Sequence, residues 1–190
     1  MKAEGSARDF LIRAWDKISD TWRIKTDPVG YARRIGVEVG ENCRLLGLDR
    51  GTFGTEPYLV RLGDHVSLTN GVRFVTHDGG VWVFREEHPE IDVIAPIVVG
   101  NNVYLGYYSM ILPGVTIGDN CVIGAGSIVT RDVPSGIVAA GVPARSIRTI
   151  DEYWDRIKGK SFHIRSKSIG ERRRTLEDHF ARASSSSRAD

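Results

Sequence analysis

The sequence predicts an all-β solenoid, a parallel β-helix of triangular coils, with one excursion loop and short helices at either end. Three observations carry that prediction. Aliphatic residues recur every sixth position at Val99, Leu105, Ile111, Ile117, Ile123 and Val129. Glycine follows at Gly100, Gly106, Gly118 and Gly124, and a second set of residues, Val103, Ser109, Val115, Cys121, Ser127 and Val133, falls four places after each aliphatic. The same pattern runs through Leu62, Leu68 and Phe74, with Val66 and Val72 four later, and matches once at Val39-Gly40-Glu41-Asn42-Cys43.

A period of six is not helical, because 3.6 residues per turn would scatter these side chains around the axis. It is also too long for simple strand alternation. Very short strands joined by tight turns account for it: one inward aliphatic, a turn residue such as Gly that tolerates positive φ, then a second inward residue. Three hexads make a coil of 18 residues. Coils stack at about 4.8 Å, and equivalent positions form ladders through the core.

The elements follow in order. Ser6–Asp20 reads as an amphipathic helix with Leu11, Trp15 and Ile18 on one stripe and Ser6 as N-cap, within an N-terminal extension over 1–36. The β-helix covers 37–149, with a small irregularity from Gly47 to Tyr58. Between Phe74 and Val99 the period breaks, and an excursion loop is expected over 78–95. Its Val81-Trp82-Val83-Phe84 alternation reads as a short strand or hairpin arm. In the terminal region 150–190, helices are expected over Ile150–Lys158 and Ser168–Arg182, fraying into disorder at Ser184–Ser187.

Composition excludes several classes. The 41% hydrophobic content rules out wholesale disorder, and no run of about 18 apolar residues exists to span a membrane. The N-terminus reaches no apolar stretch of signal-peptide type. Cys43 and Cys121 make neither a disulfide framework nor a four-cysteine zinc site, so a reducing, cytoplasmic location is the expectation. From Arg156 onward, ten Lys/Arg face four Asp/Glu, leaving a mildly acidic body that argues against nucleic-acid binding. Arg172-Arg173-Arg174 in the basic tail is either a solvated face or a contact for an anionic membrane surface.

With Val133-Pro134-Ser135-Gly136-Ile137-Val138-Ala139-Ala140-Gly141-Val142-Pro143-Ala144-Arg145, the repeats resemble the hexapeptide-repeat acyltransferases over roughly Val37 to Tyr153. The resemblance implies a left-handed β-helix working as a homotrimer, with active sites between subunits. Gly54-Thr55-Glu56-Pro57-Tyr58 and Thr76-His77-Asp78-Gly79-Gly80-Val81-Trp82-Val83-Phe84-Arg85 resemble the sugar and polysaccharide O-acetyltransferases, and also the xenobiotic acetyltransferases that modify chloramphenicol or streptogramins.

An acceptor hydroxyl attacks a thioester poorly until a base removes its proton, and histidine suits that role. His77 stands where the early run of hexads gives way to the loop and matches the catalytic histidine of both enzyme types; the plainer reading is a turn histidine bonded to backbone. His65 reads as a solvated corner residue, His88 as a loop residue within reach of acceptor or cofactor, and His163 and His179 as surface residues of the tail. Glu56, one coil before His77, is the candidate to orient the imidazole, with a solvated turn carboxylate as its alternative. Asp78 is a second candidate for that role and for the acceptor side. Asn70 either binds acceptor or caps a corner. Trp82, Phe84 and Arg85 belong to the loop; Trp82 and Arg85 are candidates to bind the acceptor, and the aromatics either stack on a sugar or pack on a neighbouring subunit.

The resemblance further implies acetyl-CoA as co-substrate and no metal. Ala125 matches the small residue facing pantetheine, Gly106 and Tyr107 match positions nearer the thioester, and Tyr104 stands at a tryptophan position, a platform for sugar or pantetheine. Thr130-Arg131 matches a Thr-Lys pair near the nucleotide, and Arg145 and Arg148 match basic residues near the 3′-phosphate; solvated surface charges are the alternative for Arg131 and Arg148. Cys43 and Cys121 fill inward positions and read as core. A γ-type carbonic anhydrase shares this prism but needs three histidines around zinc, and none lies between Val99 and Ile150. The expected activity is acetyl transfer to a saccharide hydroxyl. A drug-modifying acetyltransferase, an amino-sugar N-acyltransferase and a silent scaffold subunit remain alternatives.

Overall fold

The computed structural model describes residues 19–186. The expected helix over Ser6–Asp20 therefore lies outside the described residues except for its last two. Helix α1 is seen over residues 19–26, and α2 (Pro28–Arg34) follows a break at Asp27, whose carboxylate accepts from the Gly30 N–H at 2.9 Å. Tyr31 and Ala32 of α2 are buried in the hydrophobic core.

The first coil holds β1 (Glu38–Val39) and β2 (Arg44–Leu45). The second holds β3 (Val60–Leu62), β4 (Ser67–Leu68) and β5 (Arg73–Phe74), and the third β6 (Ile97–Val99), β7 (Tyr104–Leu105) and β8 (Met110–Ile111). The fourth holds β9 (Thr116–Ile117), β10 (Val122–Ile123) and β11 (Ile128–Val129), before β12 (Ile137–Gly141) and β13 (Ala144–Thr149). Equivalent strands of successive coils pair in parallel into three sheets: β1-β3-β6-β9, β2-β4-β7-β10-β12 and β5-β8-β11. The β12–β13 hairpin, which contains a cis Val142–Pro143 bond, ends the second sheet with one antiparallel pairing.

Register turns the hexad into a core. Val39, Leu62, Val99 and Ile117 form one inward ladder, Leu45, Leu68, Leu105, Ile123 and Ala139 a second, and Phe74, Ile111 and Val129 a third. Leu68, Ile97, Leu105, Ile111, Ile117 and Ile123 are fully buried, and each such side chain contributes about 1.5–3 kcal/mol of transfer free energy. The intervening Val103, Ser109, Val115, Cys121 and Ser127 are buried as well.

The repeat glycines have a different physical cause from the one expected. Gly63, Gly100, Gly106, Gly118 and Gly124 do not have positive φ. They sit where coils stack: a Cβ on Gly63 would lie 2.8 Å from the carbonyl of Gly100, and one on Gly106 2.6 Å from the Ala125 nitrogen. Positive φ falls at the corners instead, on Asn42, His65, Asn102 and Asn120 at one and on Gly71, Tyr108 and Gly126 at another. At the first corner the side chains form their own ladder. His65 Nδ1 lies 2.8 Å from Asn102 Oδ1, and Asn102 Nδ2 donates to Asn120 Oδ1 at 2.8 Å.

The excursion loop leaves and returns at one place. An antiparallel bridge joins His77 to Ile94, the Asp78 N–H donates to Val93 O at 2.8 Å, and Ala95 N–H to Thr76 O at 2.9 Å. The expected strand through Val81-Trp82-Val83-Phe84 is corrected: Gly79–Phe84 is a 3₁₀ helix, capped by Asp78, whose carboxylate accepts from the Gly80 N–H. Val81 packs inward while Trp82, Val83 and Phe84 remain exposed.

The chain divides into two compact units, one ending at Tyr153 and the other beginning at Trp154. Helix α3 (Ile150–Lys158) crosses that boundary and opens with a capping box in which Thr149 and Glu152 bond each other's backbone N–H. In the second unit, α4 (Ile169–Ser186) starts from a Ser168/Glu171 capping box and includes Ser184, Ser185 and Ser186 of the stretch expected to fray; Ser187 lies outside the described residues. His179 packs edge-on against Phe162 there. No helix among the described residues is long and apolar enough to cross a membrane.

Candidate active site

His77 lies three residues beyond the end of β5 and is held by the bridge that closes the loop. The irregular first coil brings a carboxylate to it. Phe53 stacks on Phe74 with ring centroids 5.3 Å apart, and the Phe74 N–H donates to Thr52 O at 2.8 Å. These contacts lay residues 52–56 alongside 74–77. Gly54 is required at the crossing: it has φ +66°, and a Cβ there would stand 3.0 Å from Phe74 O.

Glu56 Oε2 lies 3.2 Å from His77 Nδ1. Thr76 Oγ1 donates to the same oxygen at 2.5 Å, and Thr55 Oγ1 donates to Oε1 at 2.6 Å. The hydrogen bonds from Thr55, then Thr76, with a further contribution from His77, hold the Glu56 carboxyl below its ordinary value against the opposing effect of burial. Glu56 is therefore ionised at neutral pH and offers only acceptors. Thr55 Oγ1, its proton committed to Glu56, also lies 3.2 Å from Nδ1 and accepts there. Both neighbours of Nδ1 are acceptors, so the ring proton sits on Nδ1 and Nε2 keeps its lone pair. This is the tautomer a general base needs.

The imidazole opens into a cleft of about 290 Å³ lined by Thr55, Glu56, His77, Gly79, Trp82, Arg85 and Asp92. A larger cavity of about 870 Å³, lined by Ile24, Pro28, Leu45, Leu46, Leu48 and Arg73 among others, has no such base. Its one carboxylate, Asp49, is held by Arg73 at 2.6 and 3.0 Å. The smaller cleft is the one equipped for proton transfer.

The other candidates from the sequence fall at separate places. Asp78 spends its carboxylate on the loop cap and does not line the cleft, and neither does His88. Asn70, Tyr107 and Ala125 share one prism corner. Asn70 O accepts from the Tyr108 N–H, Tyr107 O accepts from Gly126 N–H, and Gly106 abuts Ala125. Tyr104 precedes that corner on β7. Thr130 and Arg131 leave β11, which pairs through β8 with β5, and so lie on the edge that carries His77. On β13, Arg145 is exposed and Arg148 is half-buried. Among the described residues, no cluster of three or more His, Cys, Asp or Glu side chains is arranged to hold a metal.

Sequence reasoning missed Thr55, Thr76 and Asp92. Thr55 and Thr76 adjoin residues that were singled out, but a lone threonine carries no periodic signal. Tyr108 was missed too: it is 73% exposed with φ +56°, at a corner where the coils on either side use glycine.

Comparison with known proteins agrees with this architecture. The family described as "Bacterial transferase hexapeptide (six repeats)" matches residues 96–131. Protein CapG of Staphylococcus aureus is 49% identical over 148 residues, covering 78% of this chain and 86% of CapG. The galactoside O-acetyltransferase of Escherichia coli is 46% identical over 97 residues, covering 51% of this chain but only 47% of that enzyme. A solved structure of galactoside acetyltransferase in complex with coenzyme A superposes with a TM-score of 0.50 at 37% identity, covering 70% of this chain and 62% of that one. A hexapeptide-repeat acetyltransferase of Vibrio cholerae shares the fold, with a TM-score of 0.53 at 22% identity over 77% of this chain and 94% of that one. With its three parallel sheets, its hexad register and CapG matched over most of its length, the chain belongs to the hexapeptide-repeat acyltransferase family.

Proposed function

We propose that the chain transfers an acetyl group from acetyl-CoA to a hydroxyl of a saccharide. The observation that carries this reading is the Glu56–His77 pair, which leaves Nε2 free as an acceptor in an open cleft. Similarity to galactoside acetyltransferase, in sequence and in structure, supports it.

In this reading His77 Nε2 takes the acceptor hydroxyl proton as the oxygen bonds to the acetyl carbonyl carbon. The carbon–sulfur bond then breaks, and the CoA thiolate leaves with the proton returned by the imidazolium. Glu56 holds the ring by Nδ1–H and stabilises its positive charge while it lasts. A backbone N–H of an adjacent coil serves the developing oxyanion. No covalent acyl-enzyme forms, and Cys121, buried in the core with its thiol pushed up by that burial, takes no part.

Donor binding falls to Gly106, Tyr107, Ala125, Thr130, Arg131, Arg145 and Arg148. In one chain these lie on different edges of the prism, and the Asn70–Tyr107–Ala125 corner is not the His77 edge. A homotrimer would bring one subunit's His77 edge beside a neighbour's corner, and we extend the reading to that assembly. Tyr104 and Asn70 then join the acceptor side across the interface.

The test is direct. The purified protein is incubated with acetyl-CoA and a panel of saccharides, thiol release is followed, and the product is read by mass spectrometry for an O-acetyl ester. Ester formation that His77→Ala abolishes supports the reading. Release of CoA into water alone, or acetylation of amines but not hydroxyls, would contradict it.

A further inference from the structure

We infer that Arg85 and Asp92 of the loop read the acceptor together, and that they select an uncharged pyranose with neighbouring hydroxyls over an acidic one. The inference rests on the proposed acetyl transfer and names the acceptor class for that same cleft.

Arg85 and Asp92 line the cleft that holds His77, and both are partly exposed to it. Arg85 Nη2 lies 3.6 Å from Asp92 Oδ1, close enough to pair in charge but too far to hydrogen-bond. Arg85 Nε is enclosed without a partner. Among the described residues neither the guanidinium nor the carboxylate makes a side-chain hydrogen bond, so a cationic donor and an anionic acceptor stand side by side with unused capacity. Two adjacent hydroxyls fit that pattern: one donates to the Asp92 carboxylate, and its neighbour accepts from Arg85. Trp82, 73% exposed on the same cleft, offers an aromatic face to the ring's C–H surface.

Charge sets the sign of the selection. An arginine in a cleft suggests a carboxylate or phosphate ligand, but Asp92 already offsets Arg85. The loop also carries Asp78, Glu86, Glu87 and Glu90, with no other Lys or Arg over 78–95. Glu56 is ionised on the cleft floor. An anionic acceptor would meet this excess of negative charge, whereas a neutral sugar would not.

The test uses the full chain, acetyl-CoA, and matched pairs of 4-nitrophenyl β-D-glycopyranosides and uronides in gluco and galacto configuration. The wild type should acetylate the neutral sugars with kcat/KM about tenfold or more above the uronides, because the uronate meets the cleft's excess negative charge. Asp92→Asn should raise KM for the neutral sugar and narrow the gap to the uronide, with acetyl-CoA affinity and thermal unfolding unchanged. Arg85→Gln should raise the same KM, and Trp82→Ala should raise it for both sugar classes. Equal or faster transfer to uronides, or an Asp92→Asn enzyme with unaltered KM and selectivity, would overturn the inference while leaving acetyl transfer standing. Transfer to neither class would instead overturn the transferase reading on which it rests.

Discussion

Glu56 Oε2 and His77 Nδ1 lie 3.2 Å apart although 21 residues separate them in the chain. The carboxylate is ionised and Thr55 turns an oxygen lone pair toward the same nitrogen. Glu56→Gln keeps the size of the side chain and removes the charge, while offering an amide N–H that competes for Nδ1 and favours the wrong tautomer. We predict a fall in kcat of about 10²-fold or more, with Kd for acetyl-CoA unchanged. Steady-state kinetics beside calorimetry checks it; a full-rate Glu56→Gln enzyme would refute the positioning role.

The same carboxylate makes stability depend on acid. Its folded value lies below the ordinary 4.5 because Thr55 and Thr76 donate to it, so the folded chain binds this proton less readily than the unfolded chain. The stabilisation is complete above the ordinary value and disappears as pH falls through the folded one. Wild type should therefore hold its full advantage over Glu56→Gln above the ordinary carboxyl range and lose it as pH falls below 4.5 in urea titrations. An advantage that stays constant or grows in acid would contradict the assignment.

Gly63 tests why glycine recurs. A Cβ there would lie 2.8 Å from the Gly100 carbonyl carbon and oxygen, both backbone atoms of the next coil. Gly63→Ala must push coils apart, at a cost of about 1–3 kcal/mol. Gly126, with φ +68° and open space around its Cβ, fails for another reason: Gly126→Ala costs about 1–2 kcal/mol through left-handed strain alone. A shorter side chain cannot rescue the first, whereas Gly126→Asn should recover part of the second. Thermal unfolding of the three variants separates the two mechanisms.

His65 occupies a left-handed corner and bonds Asn102, where the neighbouring coils use asparagine. His65→Asn should keep or slightly raise the melting temperature, because asparagine tolerates φ +55° better and continues the amide ladder. Acetyl transfer should be unaffected. A loss of activity there would move a catalytic role to a residue the structure places at a solvated corner.

The periodic part of the molecule was legible because stacking repeats one requirement in every coil. Leu105, Ile111, Ile117 and Ile123 face inward at their expected positions, and Cys121 fills its core position. The glycine explanation was not legible: close coil approach and positive φ both favour glycine, and only the backbone separates Gly63 from Gly126. The 3₁₀ turn at Gly79–Phe84 was misread because Val81-Trp82-Val83-Phe84 alternates like a strand, while the Asp78 cap that winds it is a local hydrogen bond without a periodic trace. Spacing alone does not separate an orienting Glu56 from a solvated turn carboxylate, because the first coil departs from the hexad between Gly47 and Tyr58. The Phe53–Phe74 stack sets that segment's position, and no spacing rule reports it. Thr76 and Asp92 matter through one neighbour each, which only three dimensions supply.

In the proposed reaction His77 acts on an acetyl group delivered by coenzyme A. Titration calorimetry of acetyl-CoA into wild type and His77→Ala, with transfer rates measured on the same preparations, tests it most directly. Saturable binding with similar Kd in both is expected, with a transfer rate lower by about 10²–10⁴-fold in His77→Ala. Absence of binding in both proteins, or undiminished transfer by His77→Ala, would contradict it.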